Sequence, residues 1–177
     1  MRRIFLLVAI FAFAASCALA QVKSELADDP NLTARPKSYV GDYAKVIDER
    51  VEQQLERKLA ALRARAGIEF VVVTIETTGA EDIFDYSLAA ARRWRLAKGA
   101  NDKGGILLML AITDRKWRVQ LTDSLRVDLP ETVLKVHGDR MNAALRQTNN
   151  TGTAVNVFAD GLIAHLARLR APKRAAN

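Results

Sequence analysis

Apolar residues recur at helical spacing in the segment that follows Asp48. They lie three or four positions apart, at Val51, Leu55, Leu59 and Leu62, and therefore share one face of a helix. Asp48 is suited to capping the start of this helix, and Gly67 to the left-handed position just beyond its end. The pattern predicts an amphipathic helix between these two residues.

The next segment, "IEFVVVTIETT" at residues 68–78, is an apolar run rich in β-branched residues. Such a run is typical of a central strand that is covered on both faces. A second amphipathic helix is predicted for residues 81–97, because acidic residues occupy its first turn and arginines its last. Its predicted buried stripe comprises Ile83, Tyr86, Ala90 and Trp94.

The loop "KGANDKG" leads into a second apolar run, "GILLMLAI" at residues 105–112. A strand, a helix and a strand in succession predict a right-handed crossover between two parallel strands. Apolar and polar residues then alternate in "WRVQLT", after the turn "TDRK". We expect this third strand to run antiparallel to its predecessor, at or near an edge of the sheet.

Two more helices are predicted, one beginning near Pro130 and one over residues 153–170. The apolar stripe of the last helix comprises Val155, Phe158, Leu162, Leu166 and Leu169. Taken together, these elements predict an α/β fold: a three-layer sandwich with a small mixed β-sheet of three to four strands and helices on both faces.

Residues 1–20 have the pattern of a secretory signal. Arg2 and Arg3 precede an apolar stretch at residues 4–15, and "ALA" ends the segment as a small-x-small cleavage site. We therefore predict a periplasmic or secreted protein, cleaved after Ala20. A membrane anchor is a weaker alternative, because the apolar stretch is shorter than the roughly 20 residues that cross a bilayer. Lipid attachment at Cys17, in "AASC", is another.

The rest of the chain is predicted to be a linker at residues 21–38, one domain at residues 39–170 and a basic tail at residues 171–177. The linker is polar and contains Pro30 and Pro36. Cleavage after Ala20 removes Cys17, the single cysteine of the chain, so the mature protein has neither a disulfide nor a thiolate ligand.

The chain carries a formal net charge of +7, and its basic residues are clustered. One cluster comprises Arg92, Arg93, Arg95 and Lys98, and the other comprises Arg168, Arg170, Lys173 and Arg174. Such clusters are either solvent-exposed helix faces without a partner or sites of electrostatic attraction. In the second case, they attract a membrane-associated acidic partner or an anionic membrane surface. Nucleic acid is not a predicted partner, because no recognised binding motif accompanies the charge.

Several kinds of active site find no support in the sequence. His137 and His165 lie in the last two helices without an acidic residue at metal-ligand spacing, and we expect both at the surface or half-buried. No serine lies in a G-x-S-x-G elbow. The glycines of "GANDKGG" precede a strand and lack the Lys-Ser/Thr pair of a phosphate-binding loop.

Three aspartates form the candidate metal site. Asp102 precedes one strand of the hairpin and Asp123 follows the other, so that both lie on one edge of the sheet. We expect the segment around Asp42 to return to the same edge. Carboxylates and backbone carbonyls that converge from loops suit calcium, which takes six to eight oxygen ligands. The alternative is that these acidic residues simply populate loops.

Several of these segments resemble the TPM domain family over residues 39–169. The resemblance rests on "SYVGDYAKVID", "EFVVVTI", "NDKGGILL" and "LAITDRKWRVQL". It implies an exported or lumenal α/β sandwich. Some members bind calcium at an edge of the sheet, weak acid phosphatase activity has been ascribed to some plant members, and others assist membrane protein complexes, including photosystem II during its repair. Asp42 and Asp102 match acidic positions of the family pattern.

The chain also departs from the family pattern. After the hairpin, the family usually has Gly-Tyr-Gly-Leu-Glu. This chain has instead Thr122, Asp123, Ser124, Leu125 and Arg126. Both glycines are absent, and an arginine reverses the charge of the glutamate. Two hypotheses follow: an accessory or interaction module for a membrane-associated partner, or a calcium-dependent, weakly phosphatase-like enzyme. The altered motif favours the first.

Overall fold

The computed structural model describes residues 34–170. In chain order, the elements are β1 (Val40–Asp42), α1 (Glu49–Ala66), β2 (Ile68–Ile75), α2 (Ile83–Arg93), β3 (Gly104–Ala111), β4 (Lys116–Leu121), α3 (Glu131–Thr148) and α4 (Thr151–Arg170). A single 3-10 turn, Asp123–Leu125, lies between β4 and α3. The predicted signal sequence, most of the linker and the basic tail lie outside the described residues.

The four strands form one mixed sheet in the order β1-β2-β3-β4. The first three strands are parallel, with Val40 opposite Val72 and Ile68 opposite Gly104. β4 is antiparallel to β3 and lies at one edge of the sheet. The predicted mixed sheet, its parallel crossover and its antiparallel edge strand are confirmed. The three-residue strand β1 was not predicted.

The sheet separates two apolar clusters, which together make the predicted three layers. Phe70 and Val72 of β2 face the larger cluster, which includes side chains of α1, α3 and α4. Val71 and Val73 face the other side, where α2 packs. Because every residue of β2 and β3 is buried, both strands read as nearly continuous apolar runs rather than alternating ones; the polar exceptions in β2 are Glu69 and Thr74.

Local sequence signals define the ends of α1. The Asp48 side chain accepts a hydrogen bond from the Arg50 amide at 2.9 Å, which caps the start of the helix. Gly67 has a φ of 68° beyond its end, and its amide donates to the Arg63 carbonyl. The predicted boundaries of this helix are therefore confirmed.

The helix α2 is shorter than predicted, because tertiary contacts replace its last turn. It ends at Arg93, and Arg95 and Ala97 have positive φ angles of 54° and 52°. The Ala97 amide donates to the buried Glu69 carboxylate at 2.6 Å. This contact draws residues 94–98 out of helical geometry and toward the start of β2.

Two expectations about side-chain exposure in the last two helices are wrong. Leu169 shares the helix face of Phe158 and Leu162, yet it is 53% exposed. It lies in the last turn of α4, past Leu166, which is the last buried residue of the stripe. His137 is only 4% exposed, because it is wedged against α4 at Gly161. A Cβ atom on Gly161 would lie 2.2 Å from the His137 Nδ1 atom.

Candidate functional site

Asp102 and Asp123 lie on the same edge of the sheet, as predicted. Asp102 precedes β3 and Asp123 follows β4. The Thr122 amide donates to the Gly105 carbonyl at 3.0 Å, which aligns the end of β4 with the start of β3. We call this edge, where β2 and β3 begin, the N-terminal edge, and the opposite one the C-terminal edge.

Asp42 lies on the C-terminal edge, and the expectation that it joins the other two aspartates is wrong. In the register of the sheet, Asp42 is opposite Thr74 near the end of β2, and Thr74 is opposite Leu110 near the end of β3. The reason is that β1 runs parallel to β2, so that its last residue lies at the far edge. The helix α1 then brings the chain back.

The Asp42 carboxylate holds together the connection between β1 and α1. Its Oδ1 atom accepts hydrogen bonds from the Thr74 hydroxyl and, at 3.2 Å, from the Val46 amide. Its Oδ2 atom accepts from the Ile47 amide at 2.8 Å. Both oxygens are therefore engaged within the protein, and they fix the loop that leads into α1.

Asp102 forms a two-pronged ion pair with Arg63 of α1. The Arg63 Nε atom lies 3.0 Å from Oδ1 and the Nη2 atom 3.1 Å from Oδ2. The Gly99 amide also donates to Oδ2, at 2.9 Å. The Asp102 side chain is 3% exposed, so that its charge is balanced inside the protein and not by solvent.

Glu69 extends this ion pair into a network that sequence reasoning missed. Its side chain is 3% exposed and accepts from Arg35 at 2.6 Å, and Arg63 lies 3.5 Å away. Arg35 also donates to the Trp94 carbonyl. The one sequence signal for this network is a glutamate inside the apolar run "IEFVVVTI", since a buried carboxylate requires a partner. We call Arg35, Arg63, Glu69 and Asp102 the arginine–carboxylate network.

Asp123, in contrast, has no buried partner. Its side chain is 96% exposed and pairs with the exposed Arg126 at 2.8 Å. Arg126 is the residue that stands where the family pattern has a glutamate. An exposed ion pair of this kind contributes little to stability.

The three predicted aspartates therefore do not fit one calcium site. They are divided between opposite edges, and the oxygens of Asp42 and Asp102 already accept hydrogen bonds. Within residues 34–170, no three His, Cys, Asp or Glu side chains are grouped closely enough to hold a metal ion. Calcium binding by any of the three stays a prediction.

Asp114 is a further carboxylate of the C-terminal edge, and it fixes the segment after β2. Its Oδ1 atom accepts from the Thr77 hydroxyl at 2.8 Å and its Oδ2 atom from the Thr78 amide at 2.9 Å. These two hydrogen bonds, that of the Thr78 amide first, lower the pKa of Asp114. The turn after β3 is thereby tied to the start of α2.

Glu52 lies near Asp42 on the same edge. Burial raises the pKa of Glu52, and the charges of Asp42, Glu56 and Glu49 raise it further. The sequence offered no signal for this grouping, because β1 had to be placed first. Acidic residues thus gather where β1, β2 and β3 end.

Basic residues gather at the N-terminal edge. They lie in the last turns of α1 and α2, between α2 and β3, and at the end of α4: Arg65, Arg92, Arg95, Lys98, Lys103 and Arg170, which we call the basic edge. Within residues 34–170, the first five form no ion pair, and Arg170 lies 3.7 Å from Asp128. All six are exposed. The predicted cluster around Arg92 is therefore a surface feature.

Two grooves with apolar floors open beside the basic edge. One, of about 500 Å³, lies between α1 and α4; its floor includes Leu62, Ile163 and Leu166, and Arg65 and Lys103 also line it. The other, of about 270 Å³, lies beside α2, with Leu88 and Leu96 next to Arg92, Arg95 and Lys98. Each groove combines apolar surface with positive charge.

None of the helices within residues 34–170 is both long enough and apolar enough to span a lipid bilayer.

Solved structures of other bacterial proteins share this fold. The solution structure of the N-terminal domain of a P. gingivalis protein is 24% identical, has a TM-score of 0.67, and the match covers 86% of this chain and 93% of that one. The BA42 protein of Bizionia argentinensis is 13% identical, with a TM-score of 0.61 and coverage of 70% and 83%. The N-terminal domain of a Corynebacterium glutamicum protein is 16% identical, with a TM-score of 0.57 and coverage of 75% and 84%. At these identities, the likeness establishes the fold alone.

No curated protein shows significant sequence similarity to the chain. The sequence profile of the TPM domain, however, matches residues 40–165. This range includes all four strands and, apart from Ser38 and Tyr39, the segments on which the resemblance rests. The chain belongs to the TPM domain family.

Proposed function

We propose that this TPM domain is an exported accessory module that contacts a membrane-associated protein or complex, and the anionic lipid around it, through its basic edge. The observation that carries the proposal is the division of charge between the two edges of the sheet. Five exposed basic residues without an ion pair within residues 34–170 lie at one edge. At the other edge, carboxylates outnumber the basic residues Lys45, Arg50, Arg115 and Lys116. These carboxylates are Asp42, Asp48, Glu49, Glu52, Glu76, Asp82 and Asp114.

Such a division of charge gives the domain a preferred orientation toward an anionic surface. Each lysine or arginine near such a surface contributes about 1 kcal/mol of attraction. The apolar floors of the two grooves beside the basic edge add surface that a partner can bury. The carboxylates at the far edge disfavour the reverse orientation.

Two of the three candidate carboxylates are engaged in hydrogen bonds or ion pairs within the domain, which is consistent with this proposal. Arg63 neutralises Asp102, and backbone amides occupy Asp42. Asp123 faces solvent next to Arg126. These residues stabilise the domain, which can then present a rigid basic surface. Export rests on the signal pattern of residues 1–20, which lie outside the described part of the chain.

A calcium-dependent, weakly phosphatase-like enzyme is the second candidate. It is favoured by one observation: carboxylates gather at the C-terminal edge, where the strands of α/β sheets usually present ligands. The predicted set of Asp42, Asp102 and Asp123 does not assemble there, and no catalytic residue is assigned. If wild-type protein hydrolyses p-nitrophenyl phosphate no faster than buffer alone, in calcium or in EDTA, this candidate is excluded.

Co-sedimentation with membranes tests the first proposal. We would compare wild type, a basic-edge variant with Arg92, Arg95 and Lys98 changed to Gln, and a control variant with Arg50, Arg115 and Lys116 changed to Gln. The control loses the same charge from the opposite edge. The proposal predicts that wild type and control bind native membranes and the basic-edge variant does not.

Two further arms identify what is bound. Treatment of the membranes with protease removes binding if a protein partner dominates, whereas vesicles that contain an anionic lipid retain it if lipid dominates. Equal binding by the two charge variants, or no binding by wild type, would overturn the proposal.

A further inference from the structure

We propose that the groove between α3 and α4 is a binding site for a phosphate group, held by Arg140 and Arg168. The groove has a volume of about 300 Å³. The polar residues that line it are Thr132, His137, Arg140, His165 and Arg168. This site is separate from the candidate metal site and from the basic edge.

The groove brings positive charge together without an internal counter-ion. Arg140 and Arg168 are exposed, and neither forms an ion pair within residues 34–170. Of the nearby carboxylates, Asp139 pairs with Lys135 at 2.8 Å and Asp128 lies 3.7 Å from Arg170. No carboxylate lines the groove. Two arginines that line one groove repel each other, and an anion bound between them would relieve that repulsion.

The two histidines form one wall of the groove. Their ring centroids are 6.2 Å apart, and the rings meet edge to face. The His137 Nδ1 atom is enclosed and has no hydrogen-bond partner, because the ring is packed against Gly161. His165 Nε2 lies 3.2 Å from the Asp128 carbonyl. A carbonyl only accepts, so Nε2 carries the hydrogen and is engaged within the protein. The arginines are therefore the groups that bind the anion.

The positive charge around the groove acts on His137. Burial lowers its pKa, and the positive charges of Arg140, His165 and Arg168 lower it further. These are the charged or titratable groups that act on it from its own helix and from α4. An anion in the groove would oppose the effect of the arginines and raise the pKa of His137.

The chemistry of the lining favours phosphate over other anions. Arginine side chains present pairs of N–H groups that match phosphate oxygens, and two such side chains suit a group with three or four oxygens. The groove is large enough for one phosphate group or phosphate monoester. The ligand is therefore either a free phosphate compound or a lipid headgroup that carries a phosphate monoester.

NMR spectroscopy of the histidine rings tests this proposal on the purified protein, without a histidine tag. The chain contains two histidines, so that the ring signals are simple to assign. Titration with inorganic phosphate at constant ionic strength is expected to shift both sets of signals to saturation and to raise the pKa of His137. Acetate is the control anion and is expected to produce no saturable shift.

Substitutions then connect the signal to the groove. Arg140→Gln and Arg168→Gln are each expected to weaken phosphate binding about ten-fold or more. Arg146→Gln is the matched control, because this exposed arginine lies on α3 but outside the groove; its affinity is expected to equal that of wild type. The basic-edge variant is expected to bind phosphate normally, so that failure of the proposed membrane contact and failure of this site are distinguishable.

The source of the phosphate group follows from a second arm. If vesicles that contain phosphatidic acid compete with inorganic phosphate, and bind only when both arginines are present, the ligand is a lipid headgroup. If the vesicles have no effect, the ligand is a soluble phosphate compound. The proposal is overturned if phosphate gives no saturable shift, if acetate matches it, or if the Arg140 and Arg168 variants bind as wild type does.

Discussion

Arg63 and Asp102, which are 39 positions apart in the sequence, form a two-pronged ion pair at the start of β3, with N–O distances of 3.0 and 3.1 Å. The pair joins the end of α1 to the loop before β3, and through Glu69 it reaches Arg35. An aspartate that the sequence suggested as a metal ligand thus has a cationic partner supplied by the protein.

Substitution of Asp102 should therefore reduce stability. Asp102→Asn removes the two-pronged carboxylate partner of Arg63, and we expect the free energy of unfolding to fall by about 1–3 kcal/mol. The loss is limited because Arg63 is partly exposed and retains some hydration. Asp123→Asn is the control, since its side chain is 96% exposed, and a change within about 0.5 kcal/mol is expected. Urea denaturation measures both. Equal losses in the two variants would contradict the assignment of Asp102 to the network.

Asp42 is expected to matter for folding at the opposite edge. Asp42→Asn replaces one acceptor oxygen with an amide nitrogen and so loses a hydrogen bond from Val46 or Ile47. We expect a loss of about 1–2 kcal/mol of unfolding free energy, again measured by urea denaturation. The loss should be the same in EDTA and in millimolar calcium. A stability defect that appears only when calcium is present would instead indicate a metal ligand.

Calcium itself is expected to have little effect on the wild-type protein. A ligand that binds only the folded state, at a hundred times its dissociation constant, stabilises by about 2.7 kcal/mol, or several degrees for a domain of this size. Because the three aspartates do not converge, we expect equal melting temperatures in excess EDTA and in millimolar calcium. A rise of several degrees that is absent in Asp42→Asn would support the phosphatase-like alternative.

The stability of the domain should fall as the pH decreases below about 6.5, the ordinary pKa of histidine. Burial lowers the pKa of His137 in the folded state, so that the unfolded chain takes up a proton at a higher pH than the folded one. Between the two pKa values, unfolding is therefore favoured by acid. His137→Gln does not titrate and should show a smaller loss of unfolding free energy between pH 7 and pH 5. Identical pH profiles would show that His137 is not the group responsible.

The sequence predicted the elements whose burial or capping leaves a pattern in consecutive residues. β2 and β3 are covered on both faces, and their apolar runs identified them. The ends of α1 carry an Asp cap and a Gly cap. The ion pair between Arg63 and Asp102, in contrast, depends on how distant segments pack, and no local pattern records it.

The misplacement of Asp42 has a single physical cause. β1 has three residues, too few to show a strand period. Without β1, nothing places its last residue, Asp42, at the C-terminal edge of the sheet. Once β1 is paired with β2, Asp42 is opposite Thr74 and the charge of the two edges becomes apparent. The basic residues themselves were visible in the sequence, but their assembly on one edge required the topology.

Hydrogen–deuterium exchange of the free and the membrane-bound protein tests the central claim most directly, because it locates the contact surface. The account predicts that membranes slow exchange in residues 94–103 and 122–127, at the basic edge, and leave residues 43–48, 76–82 and 112–115 unchanged. Protection confined to these last three segments, at the acidic edge, would contradict it.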